Sequence, residues 1–98
     1  MTPEFEWDAK KATENLKKHG VAFEEALTVF ADPLARIFDD PDHSEDERRE
    51  LIIGHSVDQR LLVVSFTDRV RRTRIIGARE VTAQERRDYE QNTTKRPT

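Results

Sequence analysis

The sequence predicts an α+β fold: a short N-terminal strand, two helices packed on a four-stranded antiparallel sheet, and a C-terminal helix. Three observations carry this. Apolar residues in the first third recur at helical spacing, Ala9, Ala12 and Leu16, then Phe23, Ala26, Leu27 and Phe30. Strand-like runs then follow one another from Leu34, and after residue 50 they are separated only by short polar connections. Thr82 and Glu85 have the spacing of a capping box, which opens a last helix. A chain of 98 residues, 35% hydrophobic and 38% charged, builds one domain with an economical core.

Taken in order, Phe5, Glu6 and Trp7 read as the first strand, with Trp7 as a core anchor. Asp8 is the N-cap of the first helix. Lys17, Lys18 and His19 place cations against its C-terminal carbonyls, and Gly20 stops it. The second helix carries Glu24 and Glu25 in its first turn. It ends at Asp32-Pro33, because a residue before proline is pushed out of the α region. Leu34 to Phe38 is the first strand of the meander, and Asp39 to Asp46 an acidic loop. Glu50 to His55, Arg60 to Thr67 and Arg72 to Arg79 are the other three strands, joined through Val57–Gln59 and Asp68–Arg71. The last helix runs to about Gln91. It is nearly all polar, with Ala83 and Tyr89 as its main apolar groups, so it is expected to dock loosely or to meet a partner. Residues 1–91 are read as the domain and 92–98 as a frayed tail.

Cysteine is absent, which removes disulfides and thiolate metal sites and suits a reducing compartment. No apolar run approaches the roughly 20 residues of a membrane span, and MTPEFEWDAK lacks a basic-then-apolar leader pattern. The expectation is a cytoplasmic protein with no membrane contact. The net charge of −3 argues against a general nucleic-acid binder, but the charge is segregated. Acids crowd Asp39 to Glu50. From residue 60 to 79 stand Arg60, Arg69, Arg71, Arg72, Arg74 and Arg79, against the single acid Asp68. Such a basic segment can present a local anion site on an acidic chain.

His19, His43 and His55 share no ligand spacing, and the acidic loop reads as solvated, so no metal site and no cofactor is expected. The three scattered glycines form no phosphate loop, and no serine stands in a nucleophile elbow. What remains is a set of Arg, His and Glu. Metal-free RNA cleavage needs a base for the 2′-hydroxyl, cations for the phosphate, and an acid for the leaving oxygen. His43, Glu47, Arg49, Arg74 and Arg79 are of those types. Arginines at strand ends are also commonly just solvent-facing, and the residue types alone favour that reading. Strand alternation puts Arg72, Arg74, Ile76 and Ala78 on one face and Thr73, Ile75, Gly77 and Arg79 on the other. Arg74 and Arg79 therefore share a site only if the strand ends or bulges near Gly77. His19 reads as a helix-end cation, and His55 as half-buried structure.

The stretches FEWDAKKATENLKKHGVAFEEALTVFADP, DHSEDERRELIIG, LLVVSFTD and RIIGAREVTAQERRDYE, in this order, resemble the BrnT family of toxins from Phe5 to Tyr89. The resemblance implies a RelE-like fold, an endoribonuclease that inhibits translation, and a ribbon-helix-helix antitoxin of the BrnA kind as partner. DNA would be reached only through that antitoxin. It implies site roles for Arg74 and Arg79 as phosphate ligands, and for His43 or Glu47 as base or acid with Arg49 in support. Lys17, Lys18 and Arg72 would extend the RNA track. Two positions depart from the family pattern: Ala22 stands where serine or threonine is common before FEEA, and Gly77 where serine is common. A rival reading is a non-catalytic binding module that acts with the antitoxin in a DNA-bound repressor complex.

Overall fold

The computed structural model describes residues 4–40 and 48–94, with backbone alone for 92–94. The elements are β1 (Glu4–Glu6), α1 (Ala9–His19), α2 (Phe23–Ala26) followed by a 3₁₀ segment (Leu27–Ala31), β2 (Arg36–Asp39), β3 (Glu50–His55), β4 (Leu61–Asp68), β5 (Arg72–Glu80) and α3 (Ala83–Thr94). They form an α+β fold with three helices around one mixed sheet in the order β1-β5-β4-β3-β2. The four-strand antiparallel meander is present, but the sheet has five strands, not four. β1 adds to β5 in parallel, with Glu4, Phe5 and Glu6 beside Arg72, Thr73 and Arg74. Three residues are too few to show a period, and their partner lies far along the chain, so this pairing leaves no mark in the sequence. β4 and β5 join through a tight turn in which Arg69 and Arg72 exchange backbone hydrogen bonds of 2.7 and 3.2 Å.

α1, α2 and the 3₁₀ segment cover one face of the sheet. Val21, Phe23, Ala26, Val29, Ile52, Leu62, Val64, Phe66, Ile75 and Ala78 are buried there, with Phe5, Trp7 and Phe30 at the margin. Trp7 meets Phe23 edge-on at 5.9 Å, as expected of a core anchor. The second helix is not the continuous helix the sequence predicts. One α turn gives way to a 3₁₀ segment, and the buried positions Phe23, Ala26 and Val29 recur every three residues, which is the 3₁₀ repeat. Val29 takes the core place that helical spacing assigns to Leu27 and Phe30. No side chain caps α2, as Ala22 dictates.

α1 begins and ends as read. The Asp8 carboxylate accepts the backbone N–H groups of Lys10 (2.7 Å) and Lys11 (3.3 Å), and Gly20 closes the helix in the left-handed region at φ 70°. Its apolar stripe, however, does not bury it: Leu16 is 51% exposed, and no residue of α1 is fully buried. A polar anchor holds the helix instead. The Asn15 side chain donates to the carbonyls of Val21 (2.9 Å) and Ala78 (2.8 Å) and accepts from the Ala78 N–H at 3.1 Å. β1 pairs with β5 only as far as Arg74, so Asn15 serves the strand's open edge where β1 has stopped.

The opposite face carries a second apolar group, Ile53, Leu61, Val63 and Tyr89, with Leu51 and Val81 beside it. Tyr89 comes from α3 and is 5% exposed, so α3 is anchored rather than loosely docked. The capping box forms in both directions. The Thr82 N–H donates to Glu85 at 2.8 Å, and the Glu85 N–H donates to the Thr82 hydroxyl at 3.1 Å. The helix runs to Thr94, past the expected end near Gln91. β2 starts at Arg36, because the Asp32 side chain captures the Leu34 N–H (2.9 Å) in a turn where the sequence suggests strand.

Candidate functional site

β5 contains a bulge. Ser65 pairs with Gly77 and Phe66 with Ile75, so Ile76 has no partner on β4. Alternation resets across it. Ile75 and Ala78, three residues apart, both enter the core beneath the helices. Arg74 lies opposite Thr67, and Arg79 opposite Val63, a residue of the second face. Arg74 and Arg79 therefore emerge on the same side of the sheet, the condition that regular alternation denied them. They stand four ladder steps apart, or about 14 Å along the strand, too far to hold one phosphate together.

Arg79 opens into a polar cleft of about 440 Å³ on that side. Its floor is Val63, Ser65 and Gly77. Asn15 and His19 of α1 form one wall, Glu85 of α3 another, and Asp40 and Leu51 complete the rim. The Arg79 side chain is 39% exposed, and its guanidinium meets Glu85 end-on, Nη1 to Oε1 at 2.8 Å and Nη2 to Oε2 at 2.9 Å. Nη1 also donates to the Glu80 carbonyl at 3.2 Å. A guanidinium has five N–H donors. Among the described residues these bonds take three, leaving Nε–H and the second Nη2–H, an edge with the spacing to hold two oxygens of an anion. Hydrogen bonds from Arg79, outweighing the cost of burial, hold the Glu85 carboxyl down at about 2. Glu85 is thus fixed as an anion that orients Arg79.

The remaining predicted residues fall elsewhere or outside view. Arg74 donates to Glu6 at 3.2 Å, and Arg72 reaches Glu4 at 3.2 Å and Glu6 at 3.4 Å, at the far end of β5. Their bonds, that of Arg74 first, hold the Glu6 carboxyl below its ordinary range. Lys17 and Lys18 are exposed in the last turn of α1. Arg49 lies just before β3, its Nε buried and without a hydrogen-bond partner among the described residues. His43 and Glu47 lie outside the described residues. In the sequence His19 and Glu85 read only as helix-end groups and Asp40 only as part of a solvated loop, while Asn15 and Ser65 carry no site role. The spacing of Asn15 and His19, one helical turn apart, was the available signal.

A second titratable group sits across the sheet. Asp32 accepts the His55 N–H at 2.7 Å, lies 3.7 Å from His55 Nδ1, and receives the Tyr89 hydroxyl at 3.5 Å. His55 and Tyr89 stack edge-to-face at 5.7 Å. These bonds pin the chain after the 3₁₀ segment to β3 and α3. Beside them is an apolar hollow of about 610 Å³ lined by Phe5, Leu27, Phe30 and Val57. Among the described residues no group of three or more His, Asp or Glu is placed to hold a metal ion, and no helix is long and apolar enough to cross a membrane.

Residues 7–85 match the family model described as the ribonuclease toxin, BrnT, of type II toxin-antitoxin systems. Among solved structures, the chain is similar to the Brucella abortus ribonuclease toxin BrnT, determined at 1.1 Å resolution. The two are 23% identical over 83% of this chain and 99% of that one, with a TM-score of 0.64, a likeness of fold. No curated protein matches. Because the family model spans most of its length, and the motifs that carried the resemblance fall largely within that span, the chain belongs to the BrnT family of ribonuclease toxins of type II toxin-antitoxin systems.

Proposed function

We propose that this protein is a metal-independent endoribonuclease with a RelE-like fold. It cuts RNA in the Arg79 cleft and so inhibits translation in the cytoplasm, and a BrnA-like ribbon-helix-helix antitoxin silences it. The observation that carries the cleavage site is the oriented guanidinium: Arg79 is held by Glu85 with its Nε edge left to an incoming phosphate. Arg74, on the same face about 14 Å away, contacts a neighbouring phosphate of the same strand. Arg72, Lys17 and Lys18 extend that track. His43 or Glu47 acts as acid or base, with Arg49 supporting.

The test is RNA cleavage in EDTA by wild type, Arg79→Ala and Arg79→Lys, read beside thermal melting. Removing one preorganised phosphate ligand costs roughly 10²-fold or more in rate. Lysine keeps the charge without the fork and recovers part of it. Arg79 is ion-paired, so the alanine variant also loses stability, and rates are compared well below its melting temperature. Normal cleavage by Arg79→Ala refutes the site, and loss of wild-type cleavage in EDTA with recovery on adding Mg²⁺ or Mn²⁺ refutes the metal-free chemistry. A second reading, the non-catalytic module, draws on the ion pairs that already occupy Arg72, Arg74 and Arg79. It predicts no cleavage by wild type.

A further inference from the structure

We infer that His19, to which the family resemblance gave no site role, is the base that takes the 2′-hydroxyl proton in the Arg79 cleft. The inference rests on the ribonuclease reading of that cleft. Three observations place the imidazole. Asn15 fastens α1 to β5 at Ala78, the residue before Arg79. His19 follows Asn15 by one turn on the same helix face, and both line the cleft. Gly20, left-handed at φ 70°, ends the helix at once, and its carbonyl receives Arg60 Nη2 at 3.0 Å, so the backbone behind His19 is fixed. Among the described residues nothing bonds the exposed ring itself, so its nitrogens are open to a substrate.

The other ionisable groups in the cleft are less suited. Glu85, held at about 2, is too weak a base and is committed to Arg79. Asp40 has an interaction partner of its own. Arg79 stays protonated. Imidazole is the side chain that ordinarily exchanges a proton near neutrality. The charged groups sharing the cleft with it are Arg79 of β5, Glu85 of α3 and Asp40 after β2, with Lys17 and Lys18 beside it on α1.

Neutral His19 accepts the 2′-hydroxyl proton as the 2′-oxygen bonds to phosphorus. The bond from phosphorus to the 5′-oxygen breaks, giving a 2′,3′-cyclic phosphate. The 5′-oxygen takes its proton from the acid of the proposed function, and His19 returns its own to solvent. Attack and departure occur on opposite sides of the phosphorus, so one imidazole serves only one of the two proton transfers.

The experiment uses the full chain and an RNA oligonucleotide that wild type cuts. His19→Ala and His19→Gln are expected to lower kcat by 10²-fold or more. Melting should be unchanged, and binding of the same oligonucleotide carrying a 2′-deoxy sugar at the cut site should stay within about threefold. The fall in wild-type rate toward low pH, where the base is protonated, should vanish in both variants. Cleavage by His19→Ala within threefold of wild type overturns the inference. So does a defect confined to binding or melting. Rescue of His19→Ala by a 5′-bridging sulfur, a leaving group that needs no proton, also overturns it, since His19 would then be the acid. If Arg79→Ala is inactive while His19→Ala is normal, only this inference falls; if wild type cuts no RNA, the reading of the cleft falls with it.

Discussion

Replacing Glu85 with glutamine removes one charge and turns one carboxylate oxygen into an NH₂ group. The amide oxygen still accepts the Thr82 N–H and Arg79 Nη1, so the capping box survives, while the NH₂ faces Arg79 Nη2 and that second bond is lost. The Glu85 carboxyl titrates at about 2 in the folded protein, against an ordinary 4.5. That difference would correspond to about 3 kcal/mol if it were fully expressed. Glu85 is 31% and Arg79 39% exposed, so water screens the pair, and about 1–2 kcal/mol is the expected loss at pH 7. For a domain of this size that is a fall in Tm of roughly 4–12 °C. The sign in pH follows from a folded value below the unfolded one. The stabilisation is complete above about 4.5 and fades as the carboxyl protonates between about 4.5 and 2. Thermal melting by circular dichroism at pH 7, 4 and 2.5 should therefore show wild type and Glu85→Gln converging as the pH falls. A gap that stays constant, or widens, at low pH would refute the assignment of that stability to the Arg79–Glu85 charge pair.

Other perturbations address the frame around the cleft. Asn15→Ala leaves the Val21 carbonyl and both backbone groups of Ala78 without their side-chain partner. It should cost about 2–3 kcal/mol in a urea melt, since polar groups half-hidden from water lose their bonds; a loss below about 0.5 kcal/mol would show that packing, not the amide, holds α1. Gly54→Ala puts a methyl 2.8 Å from the Ala35 Cβ and 3.0 Å from Asp32 Oδ2, so the start of β2 must shift, and stability should fall by about 1–3 kcal/mol. Gly77→Ala is the control. Among the described residues its methyl meets only Asn15 Oδ1, at 3.7 Å, and the same melt should change by no more than about 0.5 kcal/mol.

Local chemistry made much of this molecule legible. Asp8, Gly20, Thr82 and Glu85 are cap residues whose partners lie within a turn, and each stands where the sequence puts it. The core runs of β3 and β4 are apolar enough to be read directly. What escaped depends on distance along the chain. β1 was legible as a short strand, but its parallel pairing with β5, far along the chain, was not. Leu16 looks like a core residue by spacing, yet α1 is held through Asn15 to a carbonyl 63 residues away. The second helix tightens into 3₁₀ geometry because its core contacts fall every third residue, a spacing that α and 3₁₀ helices share over one turn. The arginines of the site were visible as residues. Their partners Glu85 and Glu6 were not, since charge composition does not say which carboxylate a guanidinium meets.

The unpartnered Ile76 makes the sidedness of β5 a question of phase. Residues before it keep one parity and residues after it the other, so chain length between Arg74 and Arg79 decides where a charge goes. Deleting Ile76 alone would remove the bulge and leave Arg79 opposite Val63, still on the cleft side. Inserting one residue in that interval with the bulge kept would instead send Arg79 into the apolar layer under α1 and α2, where a guanidinium has no answering carboxylate. Deleting two with the bulge kept would return it to the cleft side, two ladder steps nearer Arg74. The strand is therefore tolerant of changes in residue identity at Gly77 but intolerant of changes in count that the bulge does not absorb. Natural variation within it should come as substitutions, as even-numbered length changes or as loss of the bulge residue itself, never as a single insertion without a compensating bulge.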